Sequence, residues 1–438
     1  MTRPARKMEG RSVVVLAGAR TPFCKAGTDL AACSPVTLGV VVAREALLRA
    51  GVRPERVDHI VFGIVSAPVG APNIAREIGL GAGFPASIPA YTVSRACVSA
   101  NQAVTNAVDQ IALGHADVVL AGGAETLSDV PMLYGRPFRD ALVEASTRAR
   151  TLRQRVRAFR RVRLRDLKPV TPAIAEPSTG QTMGQAAEKM AKDFAIARTA
   201  QDHFAFTSHT RAVAAWASGA LARDVVPVPI SRARHYRLVE RDNHPREDTT
   251  LEKLAALRPV FDRRFGTVTA GNSSPLTDGA SAVVLAAEPL ARAEGWPILG
   301  RVRSYAYTAV DPFEHLLMAP VSAIARVLDD TGLGLADVGV IEMHEAFAAQ
   351  ILCNIAGLAS TKYCQDKLGR ASAVGEIAPE RINQWGGSIS LGHPFGATGG
   401  RLLLGCLAQQ RERGARYGLI SACAAGGMGN AMVLERVE

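Results

Sequence analysis

Apolar runs rich in β-branched residues alternate with alanine-rich helical stretches along most of this chain. Helical spacing marks the intervening stretches, such as 37–51 and 321–332. Alternation of this kind is typical of βαβ units in mixed sheets that are covered by helices. The sequence therefore predicts an α/β fold. The strand candidates are residues 11–19, 58–65, 117–124, 281–287, 338–343, 417–424 and 430–437.

Two correspondences predict that one structural unit occurs twice. Residues 57–68 resemble residues 336–347, and each segment is a strand that follows a similar turn. A turn containing Cys97, a helix and a strand likewise match a turn containing His393, a helix and a strand. The second copy follows the first by about 280 to 300 residues, which indicates a duplicated domain.

The repeat also predicts the domain boundaries of this 438-residue chain, which is too long for one small core. Residues 1–130, completed by residues from about 266 to 290, are the predicted N-terminal half, and residues 291–438 are the C-terminal half. Residues 131–265 have no counterpart and are predicted to form an inserted loop domain.

Composition limits the class of protein. The chain is 48% hydrophobic and only 5% aromatic, with 40 glycines, as in α/β enzymes that pack closely at small residues. No apolar run approaches the roughly 18 residues of a membrane span, and the basic stretch 1–12 lacks the apolar segment of a secretory signal. The seven cysteines contain no C-x-x-C pair, which argues against a disulfide framework and a zinc ribbon. We therefore predict a cytoplasmic protein.

Most of the net charge of +11 lies in one segment. Residues 136–168 hold eleven arginines and one lysine against three acidic residues, so 12 − 3 = +9. Apolar residues at helical spacing predict one basic amphipathic helix here. A solvated surface helix, a membrane or partner contact, and attraction of an anionic substrate all fit. Nucleic acid fits less well, because stacking aromatic residues are nearly absent. The apolar positions are Ala145, Ala149, Leu152, Val156, Phe159 and Val162.

Three short stretches are candidates for chemistry. Cys97 directly precedes a helix of small residues, whose positive end favours a thiolate. His393 lies in a turn of glycines and a proline, where a ligand can approach closely. Cys423 ends a predicted strand, and the Ala-Ala-Gly-Gly that follows leaves N–H groups able to face an oxyanion. Each stretch alone is better explained as a core cysteine or an ordinary turn.

A fourth stretch, MHEAFAAQ at 343–350, begins like the zinc-protease helix motif H-E-x-x-H. Its second histidine is missing, because position 348 is alanine. No local C-x-x-C spacing supports zinc elsewhere. The sequence therefore predicts no metal site and leaves the His344–Glu345 pair to be explained.

Together these stretches resemble the thiolase family over nearly the whole chain. The resemblance implies a thiolase fold, with two βαβαβ-type halves in five α-β-α-β-α layers. Segments 94–97, 164–180, 272–280 and 344–350 look like the thiolase (β) subunit of the fatty-acid β-oxidation multienzyme complex, of the bacterial anaerobic and mitochondrial trifunctional type. Ordinary thiolases carry Asn where His344 stands. The motifs that carry the resemblance are ARTPF (19–23), SRAC (94–97), AGGAE (121–125), GTVTAGNSSPLTDGASAV (266–283), HEAF (344–347), GHPFGATG (392–399) and CAAGGMG (423–429).

The resemblance implies a role for each candidate side chain. Cys97 is the expected nucleophile, which takes the acyl group as a thioester, and His393 is the base that deprotonates it. Cys423 is the expected acid and base at the α-carbon of acetyl-CoA. His344 and His393 would stabilise the enolate oxygen of acetyl-CoA.

Further positions follow from the same resemblance. The backbone N–H groups of Cys97 and Ala425 would form a second oxyanion hole, although many relatives have Gly at the latter position. Ser274 and the turn Thr182-Met183-Gly184 fall where the family contacts the pantetheine arm of CoA. No metal, nucleotide or flavin cofactor is expected, because coenzyme A is a substrate.

Three functions remain open from the sequence. A degradative 3-ketoacyl-CoA thiolase is favoured over a biosynthetic acetyl-CoA acetyltransferase and over a catalytically inactive relative that binds lipid. The resemblance also implies a homodimer or a dimer of dimers. An α subunit with hydratase and hydroxyacyl dehydrogenase activities, or a membrane surface, would then be the partner of residues 136–168.

Overall fold

The computed structural model describes residues 10–170, 175–232 and 235–437. Residues 1–9 of the basic N-terminal stretch and residues 171–174 of the proline-rich motif lie outside the described residues. The chain forms two compact units, Met1–Asp129 with Glu176–Glu438, and Val130–Ala175. The predicted boundaries of the two halves and of the inserted domain stay predictions.

All seven predicted strands are present, each within a few residues of its expected bounds. Three of them, Val13–Arg20, Val118–Glu125 and Thr277–Ala287, are buried at every residue. The strands are β1 (Val13–Arg20), β2 (Cys24–Lys25), β3 (His59–Gly63), β4 (Ala90–Val93), β5 (Val118–Glu125), β6 (Leu133–Tyr134), β7 (Pro169–Val170), β8 (Val228–Arg232), β9 (His235–Val239), β10 (Thr277–Ala287), β11 (Gly300–Ala309), β12 (Val338–Met343), β13 (Tyr417–Ala424) and β14 (Met428–Glu435).

The order of the strands confirms the predicted duplication. The hydrogen-bonded path runs β12-β13-β14-β11-β1-β10-β5-β3-β4, with β2 beside β10. Reading outward from the β1–β11 junction, each half has two antiparallel ladders and then a parallel pair, β5 with β3 or β13 with β12. This mirrored order is what two copies of one unit give when they join along β1 and β11.

Helices cover both sides of each half-sheet. The predicted helices 37–51 and 321–332 are confirmed as α1 and α11. The helices are α1 (Pro35–Ala50), α2 (Ile74–Ala82), α3 (Ser99–Ala112), α4 (Arg136–Val143), α5 (Leu152–Ala158), α6 (Met183–Asp193), α7 (Arg198–Ala217), α8 (Leu251–Ala255), α9 (Glu288–Ala293), α10 (Pro312–His315), α11 (Ala319–Thr331), α12 (Ala348–Ala359), α13 (Thr361–Tyr363), α14 (Ser388–Leu391) and α15 (Thr398–Arg413).

Three hydrophobic clusters show that these elements form five layers. One cluster joins α1 and α2 to the N-terminal half-sheet. A second lies between the two half-sheets around α3 and α15. A third joins the C-terminal half-sheet to α11 and α12. The expected α-β-α-β-α arrangement is therefore confirmed, and α3 and α15, which follow Cys97 and His393, both lie in its central layer.

The smaller unit differs from its prediction. The basic segment is not one helix: α4 continues as a π-helical turn to Arg148, and the backbone is extended at Ala149 and Thr151 before α5 begins. Thr151 starts this new helix because its hydroxyl accepts from Gln154 N while the Gln154 side chain accepts from Thr151 N. The predicted apolar stripe is packed only in part, since Leu152 is 78% exposed and Val156 67%, whereas the half-buried Phe159 lies against Phe138. Among the described helices, none is both long and apolar enough to cross a membrane.

Candidate active site

Four of the sequence-predicted side chains meet where the two halves join. The sulfur of Cys97 and one ring nitrogen of each of His344 and His393 lie within 4.8 Å of one another. Cys423 is 2% exposed at the end of β13, and it is close enough to Cys97 for the two thiols to interact electrostatically. Three of the four come from the C-terminal half, and Cys97 comes from the N-terminal half.

A strained turn positions Cys97. Ala96 has a φ of +46°, a left-handed conformation that costs a non-glycine residue about 1 kcal/mol. The Ser99 hydroxyl holds the turn, because it donates to Ala96 O at 2.7 Å and accepts from Arg95 N at 2.8 Å. Since α3 begins at Ser99, Cys97 lies at its N-terminus as predicted.

Desolvation and nearby N–H groups act in opposite directions on the Cys97 thiol. Loss of solvent raises the pKa of this thiol to about 12, although the N–H groups of Ala425 and of Cys97 itself lower it. Desolvation therefore opposes the thiolate that the helix N-terminus favours, and the thiolate stays a prediction. The same two N–H groups are the predicted oxyanion donors, and both face the reacting sulfur.

His393 lies in the loop 392–396, here called the GHPFG loop. Gly392 has a φ of +99°, and a β-carbon there would contact the Thr277 side chain at 2.4 Å, so this position requires glycine. His393 Nδ1 is 2.6 Å from Thr398 Oγ1, whereas its buried Nε2 has no partner among the described residues. Burial, and then the neighbouring His344 and Arg401, lower the pKa of His393 well below its ordinary value.

His344 follows directly after β12, at the start of the HEAF loop (344–347). Its backbone N–H donates to Ser421 O at 2.8 Å, which fixes the loop to β13. His344 Nδ1 is 2.8 Å from Ser388 Oγ, and its buried Nε2 also has no partner among the described residues. The two imidazole centroids are 3.9 Å apart. Burial, and then Arg401, lower the pKa of His344 to about 3.

Glu345 points away from this centre and organises the loops behind it. One carboxylate oxygen accepts from Asn383 Nδ2 at 2.7 Å, and the other accepts from Ser208 Oγ at 2.8 Å and Ile389 N at 3.0 Å. A β-carbon at Gly387 would lie 2.1 Å from this carboxyl group, so the loop passes directly over it. Both oxygens of this carboxylate are bonded to protein groups, so Glu345 fixes the position of the loops.

Glu125 performs a similar role at the end of β5. It accepts backbone N–H bonds from Val65, Ser66 and Gly396, each at 2.9 Å. Its carboxylate therefore clamps the GHPFG loop of the C-terminal half to the N-terminal half. A β-carbon at Gly123 would lie 1.8 Å from Gly396 O, which explains the second glycine of the AGGAE motif at this crossing.

The CAAGG turn (423–427) carries two groups of the site, the Cys423 thiol and the Ala425 N–H. Gly426 and Gly427 both have left-handed backbones, with φ of +83° and +68°. The Glu176 carboxylate accepts from Gly426 N at 2.5 Å and fixes the turn that presents the Ala425 N–H group. Burial, and then Cys97, raise the pKa of the Cys423 thiol, which favours its protonated form in the free enzyme.

The predicted CoA-binding residues lie in two segments of the chain, one beside the HEAF loop and one at the start of α6. Ser274 lies at the site, because its N–H donates to Ala346 O at 3.0 Å, and its neighbour Ser273 bridges to Phe347. Thr182 caps α6, which begins at Met183. Their contact with CoA stays a prediction.

Sequence reasoning missed Ser388, Asn383, Glu125 and Glu176, which orient the loops but touch no reacting atom. Glu125 stands within the AGGAE motif and Glu176 within the segment 164–180, so they could have been found there. The spacing of Cys97, His344 and His393 is also compatible with a metal ion, and the absence of a metal stays a prediction.

Comparisons with known proteins agree with this geometry. The family model for the thiolase N-terminal domain matches residues 13–289, and that for the thiolase C-terminal domain matches residues 296–436. A 3-ketoacyl-CoA thiolase of Yersinia pestis (strain Pestoides F) is 46% identical over 99% of this chain and 98% of its own length.

Solved structures show the same relation. The Bacillus anthracis acetyl-CoA acetyltransferase has a TM-score of 0.85 and 32% identity over 98% of this chain and 100% of its own. Human mitochondrial 3-ketoacyl-CoA thiolase has a TM-score of 0.83 and 30% identity over 98% of this chain and 99% of its own. The chain belongs to the thiolase family.

Proposed function

We propose that this protein is a 3-ketoacyl-CoA thiolase of fatty-acid β-oxidation, which cleaves 3-ketoacyl-CoA with CoA to acetyl-CoA and an acyl-CoA two carbons shorter. The observation that supports it best is the cluster of the Cys97 thiol with two imidazoles whose Nε2 atoms have no partner among the described residues. Buried polar atoms are normally hydrogen-bonded, so two such atoms beside a thiol indicate a place for a polar substrate group.

The first half-reaction would form an acyl-enzyme. Cys97 gives its proton to His393 Nε2 and attacks the keto carbon, while the N–H groups of Cys97 and Ala425 hold the tetrahedral oxyanion. The bond between C2 and C3 then breaks, and its electron pair passes to the acetyl-CoA thioester as an enolate. His344 and His393 hold the enolate oxygen, and Cys423 gives its proton to C2 so that acetyl-CoA leaves.

The second half-reaction would return every group to its starting state. The Cys423 thiolate takes the proton of an incoming CoA thiol, and the CoA sulfur attacks the Cys97 thioester. The same backbone donors hold the oxyanion. Cys97 leaves as a thiolate and takes back its proton from His393, which completes the proton cycle without a cofactor.

Mass spectrometry of the intact protein tests this proposal. Incubation with 3-ketoacyl-CoA should add one acyl group to the wild-type chain, and peptide mapping should place it on Cys97. The Cys97→Ala variant should take up none. A wild-type chain that is never acylated is the result expected of a catalytically inactive relative, and it would overturn the proposal.

The alternative is a biosynthetic acetyl-CoA acetyltransferase, which uses the same chemistry as a condensation. The likeness to the Bacillus anthracis structure supports this reading. A panel of 3-ketoacyl-CoAs from short to long distinguishes the two: turnover of long chains supports the degradative enzyme, and restriction to acetoacetyl-CoA supports the alternative.

The proposal extends to the setting of the enzyme. We expect a cytoplasmic homodimer or dimer of dimers, which sedimentation can test. Within the Val130–Ala175 unit, exposed Leu152, Val156 and Leu164 lie in a segment of charge +9. Apolar side chains among arginines suit a contact with an anionic membrane surface or with an α subunit of a multienzyme complex.

A further inference from the structure

The two active-site imidazoles have the same pattern of contacts but different hydroxyl partners. In each ring Nδ1 meets one buried hydroxyl oxygen, Ser388 Oγ for His344 and Thr398 Oγ1 for His393. A neutral imidazole carries a single N–H hydrogen, so the hydroxyl that receives or donates at Nδ1 determines what Nε2 can do. The direction of each bond follows from the other contacts of that hydroxyl.

Ser388 is the donor to His344. Arg401 Nη2 donates to Ser388 Oγ at 3.1 Å, and a guanidinium can only donate. Among the described residues, Ser388 Oγ has no hydrogen-bond acceptor within reach other than His344 Nδ1. Since Ser388 is fully buried, its hydroxyl hydrogen would be left without a partner in any other arrangement. His344 Nδ1 therefore accepts, and the ring hydrogen lies on Nε2.

Thr398 is the acceptor from His393. Its hydroxyl is 3.2 Å from Pro394 O, one helical turn earlier, and a carbonyl oxygen can only accept. The hydroxyl hydrogen is thus used by Pro394, and the lone pair of Thr398 Oγ1 receives His393 Nδ1–H at 2.6 Å. The Nε2 atom of His393 is then left with its lone pair.

We infer that Ser388 and Thr398 hold the two histidines in opposite tautomers, so that His344 Nε2 is a hydrogen-bond donor while His393 Nε2 is a base. The inference rests on the proposed function, because it assigns the two chemical tasks of that function to particular nitrogens. With this division, His393 can take the Cys97 proton and His344 can already donate to the enolate oxygen. If both rings carried the same tautomer, one of the two tasks would be lost.

Arg401 supports this arrangement from behind. Its side chain is 5% exposed, and its Nη1 lies 3.8 Å from the Glu342 carboxylate. Burial is the main cause of the lowered pKa of both imidazoles, and the Arg401 charge adds to it. Both rings therefore stay neutral at working pH, which is the condition under which a choice of tautomer has an effect. Ser388, Thr398 and Arg401 are positioning residues, since none is argued to touch the substrate.

Nitrogen NMR of the free enzyme, labelled with ¹⁵N-histidine, tests the inference directly. Protonated and unprotonated ring nitrogens have well-separated shifts, and the spectra of His344→Asn and His393→Asn assign the two rings. We expect the hydrogen of His344 on Nε2 and that of His393 on Nδ1 at pH 7.5. The same tautomer in both rings, the reverse assignment, or a doubly protonated ring would each overturn the inference, while acylation of Cys97 would still report separately on the proposed function.

Two serines of α14 provide matched variants. Ser388→Ala should release the tautomer of His344 and lower kcat by at least about tenfold with little change in KM, because an oxyanion donor is then only partly present. Ser388→Thr, which keeps a hydroxyl, should restore the His344 spectrum. Ser390→Ala removes an equally buried hydroxyl that bonds Ser208 rather than a histidine, and it should leave that spectrum unchanged. A Ser388→Ala spectrum identical to wild type would contradict the inference, and one changed equally by Ser390→Ala would reduce Ser388 to a packing role.

Discussion

The two halves of the molecule share one backbone unit, but the side chains at the ends of their corresponding strands have different roles. In the N-terminal half β5 ends in Glu125, whose carboxylate accepts three backbone N–H bonds. In the C-terminal half the corresponding strand β13 carries Cys423, a buried thiol near Cys97, as its penultimate residue. Duplication thus supplied two equivalent strand ends, one of which holds the loops while the other carries a proton.

Neighbouring residues of the HEAF loop show the same distinction more sharply. His344 has one nitrogen bonded to Ser388 and one without a partner among the described residues. Glu345 has both oxygens bonded to protein groups. A group that reacts or binds substrate needs a free atom, whereas a group that fixes geometry has none left. The following predictions test that distinction.

The largest effect is expected at Cys423. Cys423→Ala removes the only acid proposed for the α-carbon, and we expect cleavage of 3-ketoacyl-CoA to fall at least about 1,000-fold, within the range of general acid–base contributions. Steady-state kinetics measures the loss. Iodoacetamide should still alkylate Cys97 in this variant, and retention of normal cleavage would remove Cys423 from the mechanism.

His344→Ala should have the next largest effect. Loss of one oxyanion donor costs about 100-fold or more in kcat, and the Cys97 thiol should remain open to alkylation. A variant that turns over normally would show that the enolate does not depend on this imidazole.

The catalytic set was predictable because short motifs specify it. Cys97, His393 and Cys423 stand among small residues or glycines, His344 stands in the HEAF motif, and the structure brings all four together. Strand positions were also predictable, since buried strands are continuous apolar runs. The raised pKa of the Cys97 thiol was not, because desolvation depends on residues from several segments that meet only in the fold.

Glu345→Gln is expected to act on stability more than on chemistry. An amide has a single acceptor oxygen and brings a donor towards Asn383 Nδ2, so one buried bond is lost, at a cost of about 1–3 kcal/mol in the free energy of unfolding. Denaturant titration measures it. The matched variant Glu376→Gln, at an exposed site, should stay within about 0.5 kcal/mol of wild type. Equal stabilities for the two variants would contradict the loop-fixing role.

The pH dependence of the free energy of unfolding should reveal the lowered pKa of His344. Its pKa is lowered from 6.5 to about 3 in the folded state, so between these values the unfolded chain binds the extra proton. The free energy of unfolding contributed by this ring is fully present above pH 6.5 and falls as the pH is lowered, by up to about 1.4 kcal/mol per pH unit. Denaturant titrations at pH 7, 6 and 5 should show a shallower loss for His344→Asn than for wild type. Parallel curves would indicate an imidazole with an ordinary pKa.

Two features escaped prediction, for different physical reasons. Asn383 and Ser388 act through contacts between segments far apart in sequence, which no local pattern encodes. The basic segment failed differently: helical spacing was present, but the capping box at Thr151 begins a new helix within it. Local capping thus ended a helix whose predicted apolar stripe is packed only in part.

The smallest effect on chemistry is expected in that basic unit. Reversing the charge of Arg153, Arg157 and Arg161 removes cations that lie among exposed apolar side chains, without altering any residue of the catalytic cluster. Turnover of acetoacetyl-CoA should stay within about twofold of wild type, the range of surface changes. Sedimentation with vesicles containing anionic lipid should show reduced binding relative to wild type, and added salt should weaken the wild-type interaction as well. If vesicle binding is unchanged but association with an α subunit is lost, the unit is a protein interface. If both associations survive, the exposed apolar and basic surface has neither role. It would then differ from the active site only in being exposed to solvent, with no ligand or partner of its own.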